Sequence, residues 1–198
     1  MQLYQKNVRI FDPMKNKFIS DKDVLDKFGV DASKVIDVQS LAGDSSDNVI
    51  SGAGGNDSVN GYGGNDTLKG LDGNDTIYGG DGDDYIEGGD GNDTIYGEGG
   101  NDSLYGNEGT DTIYGGDDDD ILYGGDGNDT IYGEKGLDTI YGGDGDDVIT
   151  VGRADSHEDG ESDIQFIDDG DGNDTIDARD EPVKIIAGSG NDSIDGSY

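Results

Sequence analysis

Aspartate recurs along this chain at a spacing of nine residues, as Asp57, Asp66, Asp75, Asp84, Asp93, Asp102, Asp111, Asp120, Asp129, Asp138 and Asp147. The same setting returns later around Asp174 and Asp192, each inside a Gly-Asn-Asp string. Carboxylates set among glycine turns offer only hard oxygen ligands, from side chains and from exposed backbone carbonyls. Zinc and copper prefer Cys or His, and the chain has no Cys and a single histidine, His157. No Ser/His/Asp or Cys/His set is present, so these residues point to cation binding rather than nucleophilic catalysis, and no enzyme is expected. The candidate ligands are the thirteen aspartates just named.

The elements that must position them follow from the same period. From Gly43 to Thr150 the sequence divides into twelve units of nine. Position one is Gly in all twelve, position four is Gly in ten, position six is Asp in eleven, and position eight is aliphatic throughout. Repeats at a fixed period are the mark of a stacked architecture. Glycines suit turns whose backbone angles a Cβ would oppose. Triplets such as Thr76-Ile77-Tyr78 suit short strands with the middle side chain inward. A hydrophobic content of 30% and a net charge of -35 would by themselves permit disorder, but an aliphatic residue at every ninth position argues for a packed core. The charge is concentrated: residues 1–42 are net +1, 43–150 net -25 and 151–198 net -11. An acidic surface of this kind excludes nucleic acid as a partner of the repeats, because phosphates attract Lys and Arg. No apolar run approaches the ~20 residues of a membrane span.

Units such as GGDGNDTIY from Gly88 resemble the RTX, or hemolysin-type, calcium-binding repeat. The resemblance implies a mainly β chain: a parallel β-roll, a two-sheet solenoid in which six residues turn, three form a strand and two repeats complete a coil. Position eight then stacks inward, with Ile77, Ile95, Ile113, Ile131 and Ile149 on one sheet and Leu68, Ile86, Leu104, Leu122 and Ile140 on the other. Stacking would line up the aspartates along two edges, 18 residues apart, as a repulsive ladder unless cations lie between successive turns. Ca2+ accepts six to eight oxygens, whereas Mg2+ demands stricter octahedral geometry. Twelve turns joined in this way give 12 - 2 = 10 sites, so up to about ten calcium ions within residues 43–150. Asn48 in place of a ligand Asp, Asp118 in place of a turn Gly, and Thr110 and Leu137 in place of Asn or Asp should weaken their sites. Tyrosines at position nine, Tyr78, Tyr96, Tyr114 and Tyr132 on one sheet and Tyr105, Tyr123 and Tyr141 on the other, should form outward ladders. These either steady the sheet or offer a glycan or protein partner a surface. The resemblance also implies an exported, extracellular protein leaving by type I secretion.

The expected organisation is an extension over 1–42, the calcium-binding roll over 43–150, a loop over 151–168, and degenerate repeats with a cap over 169–198. In the extension, Val8–Phe11 reads as a strand, Asp21–Phe28 as a helix capped by Ser20, and Asp31–Leu41 as a second helix. From about Leu3 to Asn48 the sequence resembles part of the 5′→3′ exonuclease domain of bacterial DNA polymerase I. Within GDSSDN, Asp44 and Asp47 match metal-binding carboxylates of that family. Two carboxylates alone do not build a two-metal nuclease site, so the alternative function is a DNA-binding remnant, and GDSSDN also falls in frame with the repeats.

Overall fold

The structure, a computed structural model, describes residues 10–12, 17–19, 40–152, 164–179 and 182–196. Its main body is a parallel β-solenoid of two sheets. The nine-stranded sheet runs β19-β17-β15-β13-β11-β9-β7-β5-β3, from Ser193–Asp195 at one end to Leu41–Ala42 at the other. Between them lie β5 (Ser58–Gly63), β7 (Thr76–Asp81), β9 (Thr94–Gly99), β11 (Thr112–Asp117), β13 (Thr130–Lys135), β15 (Val148–Thr150) and β17 (Thr175–Asp177). The facing eight-stranded sheet runs β18-β16-β14-β12-β10-β8-β6-β4. Its strands are β4 (Val49–Ser51), β6 (Thr67–Asp72), β8 (Tyr85–Asp90), β10 (Ser103–Glu108), β12 (Ile121–Asp126), β14 (Thr139–Asp144), β16 (Gln165–Asp171) and β18 (Val183–Ile186). Nine strands at ~4.8 Å spacing make a rod of roughly 38 Å.

Each residue pairs with the one 18 positions away, as Ile77 with Ile95 and Leu104 with Leu122. The core is therefore one aliphatic side chain per repeat, and every such residue from Val59 to Ile149, then Ile167 and Ile176, is shielded from solvent. At the two ends the pattern opens: Ile50 and Leu41 are partly buried and Ile194 is exposed. The strands are longer than the expected triplet. From β5 to β14 they run six residues, because positions one to three continue the ladder beyond position nine, as Asn107 with Gly125 and Glu108 with Asp126.

The break after Thr150 costs the solenoid no coil. Ile140 pairs with Ile167 and Ile149 with Ile176, a step of 27 residues instead of 18. A single extra nine-residue stretch thus lengthens both steps while the register holds. Of the expected loop, residues 153–163 lie outside the described residues, and residues 165–168 belong to β16 rather than to a loop, because they pair with β14. Both expected N-terminal helices lie outside the described residues except for Ser40 and Leu41 at the end of the second. Leu41 belongs to β3 and pairs with Val59, so that helix cannot extend to it. Partner hydrogen bonds from the growing sheet win over local helix preference at this point. The expected strand at Val8–Phe11 overlaps β1 (Ile10–Asp12), which pairs antiparallel with β2 (Lys17–Ile19).

Candidate metal centre

The turns at the two edges of the rod carry the candidate ligands. Along one edge the Asp57 N–H donates to Asp75 Oδ1, Asp75 N–H to Asp93 Oδ1, and Asp93 N–H to Asp111 Oδ1, each at 2.7 Å. The series continues through Asp129 and Asp147 to Asp174 and Asp192. Along the other edge Asn48, Asp66, Asp84, Asp102, Asp120 and Asp138 are joined in the same manner. All thirteen predicted ligand positions thus lie in two ladders. From Asp57 to Asp147 the side chains are at most 4% exposed.

One carboxylate oxygen of each rung is engaged by these bonds. The second is buried without a hydrogen-bond partner in Asp66, Asp75, Asp84, Asp93, Asp102, Asp111, Asp120, Asp129, Asp138, Asp147 and Asp174. Such a row of unmatched buried charge is unfavourable unless a counter-charge or ligand completes it. Burial accordingly pushes these carboxyls up: Asp93, Asp102, Asp138 and Asp147 to about 7, and Asp84 and Asp111 to about 6. Asp120 reaches about 9, through burial first and then the charges of Asp102, Asp138 and Asp118.

The glycine at position one makes room beside each orphaned oxygen. A Cβ on Gly70 would lie 2.1 Å from Asp75 Oδ2 and 2.5 Å from the Gly88 carbonyl oxygen. The space is therefore walled by a carboxylate and a carbonyl, the donor set a hard cation takes. Position two decides whether the carboxylate oxygen stays open. In the first repeats the position-two N–H closes it: Ala53 donates to Asp57 Oδ2 at 3.0 Å, and Asp44 to Asn48 Oδ1 at 2.8 Å. From the third repeat onward position two is left-handed, even where it is not glycine: Tyr62, Leu71, Glu98, Asn107 and Glu134 have φ of 68 to 87°. The same repeats hold the unpartnered oxygens. Non-glycine residues adopt that conformation at a cost of order 1 kcal/mol each, and such strain clusters at functional sites.

Sequence reasoning missed three features. Position five forms a second ladder of opposite sense, as where Asn74 N–H donates to Asn56 Oδ1 at 3.0 Å and Asn92 N–H to Asn74 Oδ1 at 3.0 Å. Its Asn/Asp preference was visible in the repeat, but not its purpose. Gln165 takes the position-six place above Asp138, and its amide donates to the Gly136 and Gly152 carbonyls at 3.1 and 3.0 Å. Asp169, finally, stands where twelve repeats have glycine. Asp44 and Asp47 sit in the first turn of the roll. The Ser46 hydroxyl donates to Asp44 Oδ1, as does the Ser46 N–H at 3.0 Å, and these bonds, the hydroxyl's first, hold the Asp44 carboxyl below its usual range. Asp47 accepts the Asn65 N–H at 3.0 Å.

Outside the turns, the tyrosines stack with centroids 4.5 to 4.9 Å apart from Tyr78 to Tyr132 and from Tyr105 to Tyr141. Among the described residues no helix is long and apolar enough to cross a membrane.

Comparison with known proteins agrees with this geometry. A stretch of 49 residues, 25% of this chain, is 51% identical to DNA polymerase I of Rhizobium leguminosarum, of which it covers 5%. That likeness is consistent with the resemblance of the N-terminal segment, and the match spans a small fraction of the polymerase. The profile of the RTX calcium-binding nonapeptide repeat matches at 39–68, 60–95, 69–104, 87–122, 96–131, 123–155, 159–180 and 168–197. With this coverage and two ladders of buried aspartates suited to Ca2+, the chain belongs to the family of RTX calcium-binding nonapeptide repeat proteins.

Proposed function

We propose that the protein is a non-enzymatic module of an exported protein whose roll forms when calcium fills the aspartate ladders. The observation that carries this is the row of buried carboxylate oxygens without partners, from Asp66 to Asp174. The ions would be held by the position-six aspartates from Asp66 to Asp147, with Asp174 and Asp192 on the same edge, and would supply the positive charge these oxygens lack. Asp57 is the poorest ligand of the set, since Ala53 already occupies its second oxygen. In calcium-poor cytosol the charge would keep the chain open, and outside the cell millimolar calcium would close it. Affinities of 10⁻⁴–10⁻³ M are the range of extracellular modules. Export is supported by family membership. Repeats 43–150 are the working unit of this reading, with 1–42 an extension whose last two residues join the sheet, 151–168 a connection that re-enters the roll at Gln165, and 169–198 the cap.

Circular dichroism of the full chain with and without calcium tests this. Calcium should convert an open chain to parallel β structure cooperatively, because an ion that binds only the folded state stabilises it by mass action. Full β signal in excess chelator overturns the reading.

A further inference from the structure

Position one of the repeat has no room for a side chain. At Gly97, a Cβ would lie 2.3 Å from both Asp102 Oδ2 and the Gly115 carbonyl oxygen. Asp169 nevertheless occupies this position in the coil that follows the 27-residue step. Its side chain is fully buried. Oδ1 accepts the Gly188 N–H at 2.7 Å, and Oδ2 has no partner. Five residues on, Asp174 is 1% exposed; its Oδ1 accepts the Asp147 N–H at 2.8 Å and its Oδ2 is likewise unpartnered. Asp192, in the next coil, is half-buried and accepts the Asp174 N–H at 3.2 Å. Ligand oxygens of these three lie within 4.8 Å of one another, and this is the single such group among the described residues. Of the basic side chains nearest in sequence, Arg179 is engaged by Asp177 and Asp195, and Lys184 lies over the Phe166 ring.

A second orphaned, buried carboxylate oxygen in one turn, that of Asp169 beside Asp174, is not explained by the ladder, which brings one carboxylate per turn. The Gly188 bond accounts for one oxygen of Asp169 and leaves the other buried without a partner. We propose that Asp169, Asp174 and Asp192 form a three-carboxylate calcium site at the C-terminal end of the roll, tighter than the ladder sites and filled before them. The site rests on the reading that the position-six aspartates bind calcium, and adds to it a ligand from a glycine column. Calcium affinity rises with the number of charged ligands and the rigidity of the site. Asp169 supplies the extra charge, and the backbone bonds that Asp169, Asp174 and Asp192 accept from Gly188, Asp147 and Asp174 hold the carboxylates in place.

The test is a calcium-binding isotherm of the full chain by competition with a chromophoric chelator. The wild type should show one ion bound at least about tenfold tighter than the others. Asp169→Asn keeps an acceptor for the Gly188 N–H and nearly the same volume but removes the charge. It should lose that one tight step and leave the remaining ions and the saturated β signal unchanged. Asp192→Asn, at a half-buried position that the fold tolerates more readily, should lose the same step. A wild-type isotherm without a tight step, or a tight step that survives in both variants, overturns the site while leaving the ladder reading intact. A wild type that binds no calcium at all overturns the ladder reading first.

Discussion

An aspartate such as Asp93 gives one oxygen to the Asp75 N–H and keeps the other dry and unpartnered. Without metal, burial raises the carboxyl to about 7, with Asp102, Asp138 and Asp147 alike, against an ordinary value near 3.8. The sign of the effect follows. A carboxyl whose pKa is raised by folding favours the folded state when protonated, so this contribution is fully present below the ordinary value and is lost as pH rises through about 6 to 7. Calcium-stripped protein should therefore gain β structure on acidification from pH 8 to pH 4.5. A circular dichroism signal that stays flat across that window refutes the assignment of these groups as buried and unpaired. The position-six aspartates were legible from spacing alone, because one column in nine cannot stay acidic by accident in eleven of twelve units. Two facts about individual residues were not legible. The capture of the Asp57 oxygen depends on the backbone angle at Ala53, which composition does not reveal. Asp169 reads in sequence as decay of a glycine column, and acquires meaning only when Asp192 is brought beside it from the next coil.

The repeating element is a six-residue strand followed by a three-residue turn, and its glycines are not equivalent. Gly97 and Gly99 both belong to one unit, two residues apart. A Cβ on Gly97 would intrude between Asp102 Oδ2 and the Gly115 carbonyl, each 2.3 Å away, whereas one on Gly99 would meet nothing within 4 Å. Gly97→Ala should raise the calcium midpoint of folding about tenfold or more, since the added methyl takes the oxygen-lined space. Gly99→Ala should leave the midpoint within about twofold or lower it slightly, because alanine restricts the unfolded chain. Calcium titrations of the two variants by circular dichroism check this, and equal midpoints would show that the space beside position one holds no ion. The inward stacks of Ile and Leu and the tyrosine ladders were readable because side chains alternate strictly in a strand. The strand length was not, since positions one to three are rich in Gly and Asp, residues depleted from strands, and enter the ladder only because the same positions of neighbouring coils lie above and below.

At the scale of the whole molecule, the rod grows by one coil at a time, each of 18 residues except for the one lengthened to 27 after Thr150, from β3 at Leu41–Ala42 to β19 at Ser193–Asp195. The change in charge and pattern at Gly43 marks where the sequence becomes repetitive, although the sheet reaches two residues further to Leu41. The extra nine residues near 151–163 could be recognised as a lapse in the pattern, but only pairing shows that Ile140 and Ile149 resume contact with Ile167 and Ile176 beyond it. Every hydrogen bond between coils runs along the rod axis. A tensile load applied to the two ends therefore acts on the coils in series, and they should peel away singly rather than shear together. Each coil of 18 residues would lengthen the chain by roughly 55–60 Å when drawn out at about 3.3–3.6 Å per residue. In an optical trap with calcium present, the force–extension trace should be a sawtooth with that spacing and higher peaks than in chelator. A single rupture releasing the whole contour length would show that the coils fail as one body. On this account the molecule is a ratcheted tether, extensible in fixed increments, whose stiffness is set by the calcium around it.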